Sequence, residues 1–377
     1  MRVLLFGPYP RTDEHITGGV MAVVRALARE MAHRPDIEVA VASASSFGPE
    51  TTERAHGITH HRLIIPPRPR TRWHGQIRRK LVAVAQTFQP DIIHAHGTAY
   101  YANAALDSGL PAVITAHGVV YQEAKRSSAR DLKAWLAWQY DAYVEKKLMQ
   151  RARRLIAISP YIRQAFAHYP HLQWTDIPNP VDSRFFDINQ QPAPARLFVP
   201  ARVIPRKGVD ILLQAFALIA ADFPQASLYI AGETSSFSDF VRRCQHIVQT
   251  HGLSQRVHFL GPLKPPDLMT EYARASMVIL PARQETAPVV IEEALAAGCP
   301  VIATRVGGIP WMVAHERTGL LVPPEDPSAL AAALARALSD ERALKTWRQN
   351  AKQAAQQYHV QSVVNKTLDL YEEILHG

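Results

Sequence analysis

Two glutamates eight residues apart, Glu285 and Glu293, bracket a proline-marked helix start in Pro281-Ala-Arg-Gln-Glu285-Thr-Ala-Pro-Val-Val-Ile-Glu-Glu293-Ala-Leu-Ala-Ala-Gly298. The run before them, Met277–Leu280, is apolar and strand-like, and Pro288 stands where a missing N–H does a helix no harm. Glu285 is therefore expected in a strand-to-helix loop and Glu293 inside the helix. Such a helix start offers free N–H groups and a positive dipole end, which suit phosphate. A neighbouring carboxylate suits sugar hydroxyls instead, so the pair points to a ligand carrying both. Glu292 adjoins Glu293, and one of the two can be an ordinary solvated helix charge; the register favours Glu293 for binding.

A second group of charges lies upstream, in Leu197-Phe-Val-Pro-Ala-Arg202-Val-Ile-Pro-Arg-Lys207-Gly208. A strand is followed by two cations and then by a helix after Gly208. Arg202 offers a fork for phosphate oxygens and Lys207 a compact point charge. Alone, either is equally readable as a surface cation in a loop.

These residues require strands and helices in alternation, and the chain supplies them. Strands are expected at Val3–Phe6, Val39–Ala42, Leu63–Ile65, Ile92–His94, Ala112–Thr115 and Leu155–Ile158, with helices at Val20–Met31, Ile77–Phe88, Asp131–Gln150 and Tyr161–His168. A stretch broken by Pro178, Pro180, Pro192 and Pro194 marks a domain boundary. The pattern then restarts with strands near 197, 228, 257, 277, 301 and 320, and ends in a helical tail that breaks near Gln357–His359. The expected class is α/β, with two doubly wound Rossmann-like domains facing a central cleft. Their expected ranges are 1–185 and 186–357, with helix 358–377 packing back onto the first. In such sheets ligands bind beyond the strand C-termini.

A chain of 377 residues suits two domains. It has no apolar run long enough to span a bilayer, and the Met1–Gly7 segment reads as a first buried strand, not a signal sequence. Two cysteines, Cys244 and Cys299, give neither a disulfide framework nor zinc spacing, so a reducing cytoplasm is expected. The formal charge of +9 resides in residues 1–185, which hold 24 Lys/Arg against 15 Asp/Glu. Segment Arg54–Lys80 has eight basic residues and no acidic one, among them Arg68, Arg70, Arg72, Arg78, Arg79 and Lys80. It reads either as a patch for an anionic surface, at the inner face of a membrane, or as a solvated loop. No nucleic-acid partner is expected. Trp135, Trp138, Tyr140 and Tyr143 read as core packing in preference to an aromatic membrane belt.

Taken in order, Arg202-x4-Lys207-Gly208, Glu285-x7-Glu293 and Val306-Gly307-Gly308-Ile309-Pro310 resemble the retaining glycosyltransferases of family 4, which have the GT-B fold. The first half agrees: Gly18-Gly19 ahead of a helix, Asp91-Ile-Ile-His94-Ala-His96-Gly97, Ile114-Thr-Ala-His117-Gly118, Ile158-Ser159-Pro160 and Ile177-Pro178-Asn179-Pro180-Val181-Asp182. The resemblance covers nearly the whole chain. It implies that Arg202 and Lys207 hold the donor diphosphate, Glu293 the ribose hydroxyls and Glu285 the transferred sugar. Backbone N–H groups near Thr286, Ala287 and Val289 would face phosphate and sugar. Gly19 would permit close approach, and His117 would lie near the reacting end of the sugar. Gly18, His94 and His96 fall on the acceptor side, where His94 and His96 are equally readable as structural; for His117 the site role is preferred to that of a satisfied strand-end histidine.

The implied reaction is retaining transfer from a UDP- or GDP-sugar to a glycan or lipid-linked acceptor, in surface polysaccharide or glycoconjugate synthesis. No D-x-D triplet occurs, so no metal and no cofactor are expected; two cations and a helix end stabilise the leaving phosphate. Alternatives are a GT-B epimerase or phosphorylase, and a catalytically silent sugar-nucleotide-binding subunit. The chain departs from the family at Asn179-Pro180, where glycine is usual, and at Trp311, where an acidic residue is frequent. After Gly232 it reads Glu233-Thr-Ser-Ser where a glycine-rich continuation is expected.

Overall fold

The computed structural model describes residues 1–12, 16–65, 70–126 and 132–377; the side chains of 70–73, 125–126 and 133–134 lie outside that description. Two compact units result, one of residues 1–180 with 360–377 and one of residues 181–359. The chain passes between them at Pro180/Val181 and again at His359/Val360. These crossings run side by side, Val181 N–H donating to the Tyr358 carbonyl at 2.7 Å.

The first unit is built on an eight-stranded sheet: β1 (Arg2–Phe6), β2 (Glu38–Ser45), β3 (Thr51–Ala55), β4 (Ile58–Ile64), β5 (Ile92–His96), β6 (Ala112–Ala116), β7 (Arg154–Ala157) and β8 (Gln173–Asp176). Their order is β3-β4-β2-β1-β5-β6-β7-β8, parallel throughout except for the β3–β4 hairpin. Val3, Leu4, Leu5 and Phe6 are all fully buried. Unbroken apolar runs of this kind are what a parallel sheet covered on both faces demands. The edge strands β3 and β8 are not foreseen from sequence, because Thr51-Thr-Glu-Arg-Ala and Gln173-Trp-Thr-Asp lack the apolar runs of the central strands. Strand order reverses direction at β1, which pairs with β2 on one side and β5 on the other. That reversal opens a crevice at the C-terminal strand ends.

The second unit repeats the design with six parallel strands: β9 (Arg196–Pro200), β10 (Ser227–Ala231), β11 (Val257–Gly261), β12 (Met277–Leu280), β13 (Val301–Thr304) and β14 (Gly319–Val322). The order β11-β10-β9-β12-β13-β14 places its switch point between β9 and β12. Both candidate loops therefore issue from the two strands that flank the switch.

The helical tail comprises Pro327–Ser339, Glu341–Ala355 and Val360–His376. The last of these belongs to the first unit, where Val363, Val364 and Tyr371 are buried. Helix Arg70–Phe88 starts earlier than the expected Ile77, and Arg68 and Asp131 fall outside the described residues.

One expectation is corrected. The aromatics of helix Leu132–Arg151 are not all core: Trp135 and Tyr143 are exposed, because the helix turns that stripe away from the sheet. In the Arg54–Lys80 segment, three of the described cations lie beside acids from outside the segment. Arg78 Nε donates to Asp107 Oδ2 at 2.9 Å, Lys80 pairs with Glu50, and Arg62 Nη1 lies 4.0 Å from Glu53 Oε1. Folding brings in acids that the segment itself lacks.

Candidate active site

In the second unit the loops after β9 and β12 meet. Lys207 ends a short 3-10 turn, Pro205–Lys207, and its ammonium donates to Glu285 Oε1. Arg206 Nη1 lies 3.3 Å from Glu285 Oε2 and donates to the Gln284 carbonyl at 3.1 Å. Glu285 is buried at 6% exposure, and burial alone would raise its carboxyl. The charges of Lys207 and Arg206 outweigh burial and hold it below the ordinary carboxylate value. Burial likewise pulls the Lys207 ammonium down, opposed by Glu285 and assisted by Arg206 and Arg202. The cluster is a closed ion pair, in which removing one partner strands the other charge at about 3–5 kcal/mol.

The loops approach this closely because two glycines allow it. Gly208 has φ +66°, and a Cβ there would stand 2.0 Å from the Pro281 carbonyl oxygen. Gly307 has φ +51°, and a Cβ would stand 1.5 Å from the Glu285 carbonyl oxygen. Gly307-Gly308 is thus more than a tight turn: it seats the Glu285 backbone, with Gly308 N–H donating to the same oxygen at 3.3 Å. Arg283 adds a further tie. Its N–H donates to the Arg206 carbonyl at 2.8 Å, and its guanidinium forks onto buried Asp210 at 2.8 and 3.1 Å.

Pro288 is the N-cap of helix Val289–Ala296. Thr286 and Ala287 are buried in the loop, and Val289 is partly accessible at the first helical position. Glu293 is partly accessible and accepts from Tyr272 Oη at 2.9 Å; burial pushes its carboxyl up to about 7, with the Tyr272 bond opposing and the Asp182 charge assisting. Glu292 is completely buried, so it is not the solvated helix charge. Arg202 is exposed and stays outside the Glu285 cluster, which Arg206 joins instead. Sequence reading missed Arg206 and Arg283. The first was signalled only by adjacency to Lys207, and the second has no signal short of the fold. Trp311 stands 47% exposed just past Gly307-Gly308.

In the first unit the expected residues also gather at the switch point. Gly18 is the N-cap of helix Gly19–Ala32, in an extended conformation, and a Cβ there would meet nothing within 4 Å. Both glycines are exposed, and nothing among the described residues of the unit requires Gly18 to lack a side chain. His94, His96 and His117 form a stack, with ring centroids 4.2 Å and 5.3 Å apart. His94 is deepest: Nδ1 is 2.6 Å from Tyr371 Oη and Nε2 is 2.6 Å from Thr115 Oγ1. His96 Nδ1 is 3.0 Å from His117 Nε2, and His117 is the partly accessible end. Burial pulls His94 down to about 3, His96 well below its ordinary value and His117 to about 4, so all three are neutral at physiological pH. The stack therefore presents a neutral imidazole at its open end.

The loops after β9 and β12 thus bring Lys207, Arg206 and Arg283 together with buried Glu285 at the sheet's switch point, where open α/β sheets bind ligands. Comparison with known proteins agrees. Residues 17–185 match the family described as Glycosyltransferase Family 4, and residues 182–354 match Glycosyl transferases group 1. Together these span nearly the entire sequence, and the chain belongs to glycosyltransferase family 4.

Among relatives, an exopolysaccharide phosphotransferase of Streptomyces coelicolor is 31% identical over 66% of this chain, a stretch covering 24% of that protein. The D-inositol 3-phosphate glycosyltransferase of Saccharomonospora viridis is 28% identical over 95% of this chain and 90% of its own length. The same-named enzyme of Corynebacterium urealyticum is 33% identical over 45% of this chain and 40% of its own length, so the better-matching stretches span under half of these first relatives. Among solved structures, sucrose-phosphate synthase from Thermosynechococcus elongatus superposes with a TM-score of 0.85 at 24% identity, covering 99% of this chain and 98% of its own. Anabaena HepE, solved with UDP-glucose, superposes at 0.74 and 22% identity, covering 98% of this chain and 100% of its own. The fold is GT-B, with two Rossmann-like α/β sheets.

Proposed function

We propose that the protein is a retaining, metal-independent glycosyltransferase that moves a sugar from a UDP- or GDP-sugar to a glycan or lipid-linked acceptor in polysaccharide or glycoconjugate synthesis. The observation that carries this reading is the Lys207–Glu285–Arg206 cluster at the β9/β12 switch point, with Glu293 accessible one helical stretch away. The UDP-glucose complex of the similarly folded Anabaena protein supports a nucleotide-sugar donor.

In this reading the donor diphosphate draws Lys207 and Arg202 onto its oxygens, and the first turn of helix Val289–Ala296 supplies N–H groups. Glu293 accepts from the ribose, and Glu285, held by Arg206, accepts from the sugar hydroxyls. Neutral His117 offers a hydrogen bond near the reacting end of the sugar. The acceptor hydroxyl attacks the anomeric carbon on the face the phosphate leaves; the C–O bond to phosphate breaks, and the hydroxyl proton passes to the departing phosphate oxygen. Fixed cations at that oxygen stabilise the charge that develops, each donor contributing about 3 kcal/mol.

The test is nucleotide release from a panel of UDP- and GDP-sugars, with and without chelator and acceptor. Turnover is expected without added metal, and Lys207→Ala or Glu285→Gln is expected to lower it about a hundredfold or more. Unchanged turnover in both variants removes the assigned roles. Sugar isomerisation without transfer identifies an epimerase, and donor binding without any release identifies a silent subunit.

A further inference from the structure

Helix Leu132–Arg151 carries an exposed stripe that the transfer chemistry does not use. Leu132 is 69% exposed, Trp135 43%, Leu136 52% and Tyr143 56%. They account for four of the eight large apolar side chains exposed among the described residues, so the apolar exposure is concentrated here. Continuing along the same face, at the three- and four-residue steps of a helix, are Gln139, Lys146, Lys147 and Gln150, all exposed. Lys147 Nζ sits 5.8 Å from the Tyr143 ring centroid.

The acids of this helix point the other way. Glu145 is buried and accepts from Thr98 Oγ1 at 2.7 Å and from the Val120 and Tyr121 amides at 3.0 Å. Asp141 is turned toward His74, whose Nε2 lies 4.0 Å away. The outward face is therefore apolar at one end, aromatic in the middle and purely cationic at the other. Grading of this kind fits an anionic lipid surface: Leu and Trp enter the acyl boundary, Tyr sits at headgroup level and Lys reaches phosphate. A protein partner would instead need an apolar patch beside an acidic one to match this face, on which no acid is exposed among the described residues. The Arg54–Lys80 segment, the obvious candidate from composition, has Arg78 and Lys80 already paired with Asp107 and Glu50.

We propose that the outer face of helix Leu132–Arg151 is a membrane-docking surface, with Leu132, Trp135 and Leu136 as the inserting group and Lys146 and Lys147 as the anionic-lipid contacts. The proposal stands apart from the transfer reading, because vesicle binding is measured without turnover. The full chain is floated with vesicles of phosphatidylcholine alone, or mixed with phosphatidylglycerol, across a salt series. The wild type is expected to float with the anionic vesicles and to lose binding as salt rises. The Trp135→Ser/Leu136→Ser variant is expected to bind at least about tenfold less while keeping its melting temperature and its nucleotide release. Lys146→Gln/Lys147→Gln should lose the preference for anionic lipid while retaining weak binding. Wild-type protein that floats with neither vesicle overturns the proposal, as does a Trp135/Leu136 variant that binds as well as wild type. Self-association in sedimentation that the same double variant abolishes identifies a subunit interface instead, and the membrane proposal falls.

Discussion

Glu285 and Glu293 are chemically identical side chains put to opposite electrostatic ends. Glu285, enclosed by Lys207 and Arg206, stays ionised. Glu293 is pushed up to about 7 by burial and the Asp182 charge, against the hydrogen bond it accepts from Tyr272 Oη. A folded-state value raised above the ordinary carboxyl favours the protonated folded form. Its stability contribution is therefore complete below about 4.5 and is lost as pH rises through about 7. Glu293→Gln is expected to raise the urea midpoint at pH 8 and leave it nearly unchanged at pH 5, the gain being on the order of a few kcal/mol at most. In the proposed role the ribose needs the carboxylate. UDP affinity should then climb from pH 6 to pH 8 in the wild type and stay flat in Glu293→Gln, measured calorimetrically. A flat wild-type profile removes Glu293 from the ribose site.

At the scale of the elements, the site is a contact between two loops made possible by missing side chains. Gly307 lies so near the Glu285 carbonyl that a methyl group would have to displace the loop carrying the ion pair. Gly252 is a fitting comparison, since its φ is +65° but a Cβ there meets nothing within 4 Å. Alanine at either position incurs the left-handed backbone cost of about 1–2 kcal/mol. Only Gly307→Ala should also lower nucleotide release, on the order of a hundredfold, because sub-ångström placement of catalytic groups is what the loop contact secures. Equal turnover in the two variants would show that the Gly307 approach does not position Glu285.

For the whole molecule, the chain crosses between its units twice, and the second crossing returns a helix to the first sheet. Val360–His376 buries Val363, Val364, Leu368, Leu370 and Tyr371 in that unit and places Tyr371 Oη on His94. At roughly 1.5–3 kcal/mol for each buried side chain, their loss rivals the 5–15 kcal/mol that holds a typical domain folded. Truncation after His359 is therefore expected to leave residues 1–180 unfolded and protease-sensitive, as limited proteolysis with mass spectrometry would read. Tyr371→Phe should fold and lose only the His94 bond. A truncated chain with a protected first unit would show that the helix is dispensable.

The alternation of apolar runs and helical stretches was enough to place most central strands and the two-sheet plan, because parallel strands buried on both faces need continuous Val, Ile, Leu and Ala. The same reading put Lys207 and Glu285 in loops that follow strands β9 and β12 and Glu293 inside the next helix, whereas His117 was singled out by the family resemblance. Other features depend on groups distant in sequence. Arg206 and Arg283 join the site through the contact between the β9 and β12 loops, and Glu292 rather than Glu293 turns inward through helix packing. Glu50 and Asp107 reach the basic segment only once β2 through β5 are assembled. Sequence by itself determined where most central strands lie and which loops follow them, because burial and periodicity are local properties. Only the tertiary structure decided which charges neutralise one another and which face of helix Leu132–Arg151 meets solvent, because those depend on what packs beside them.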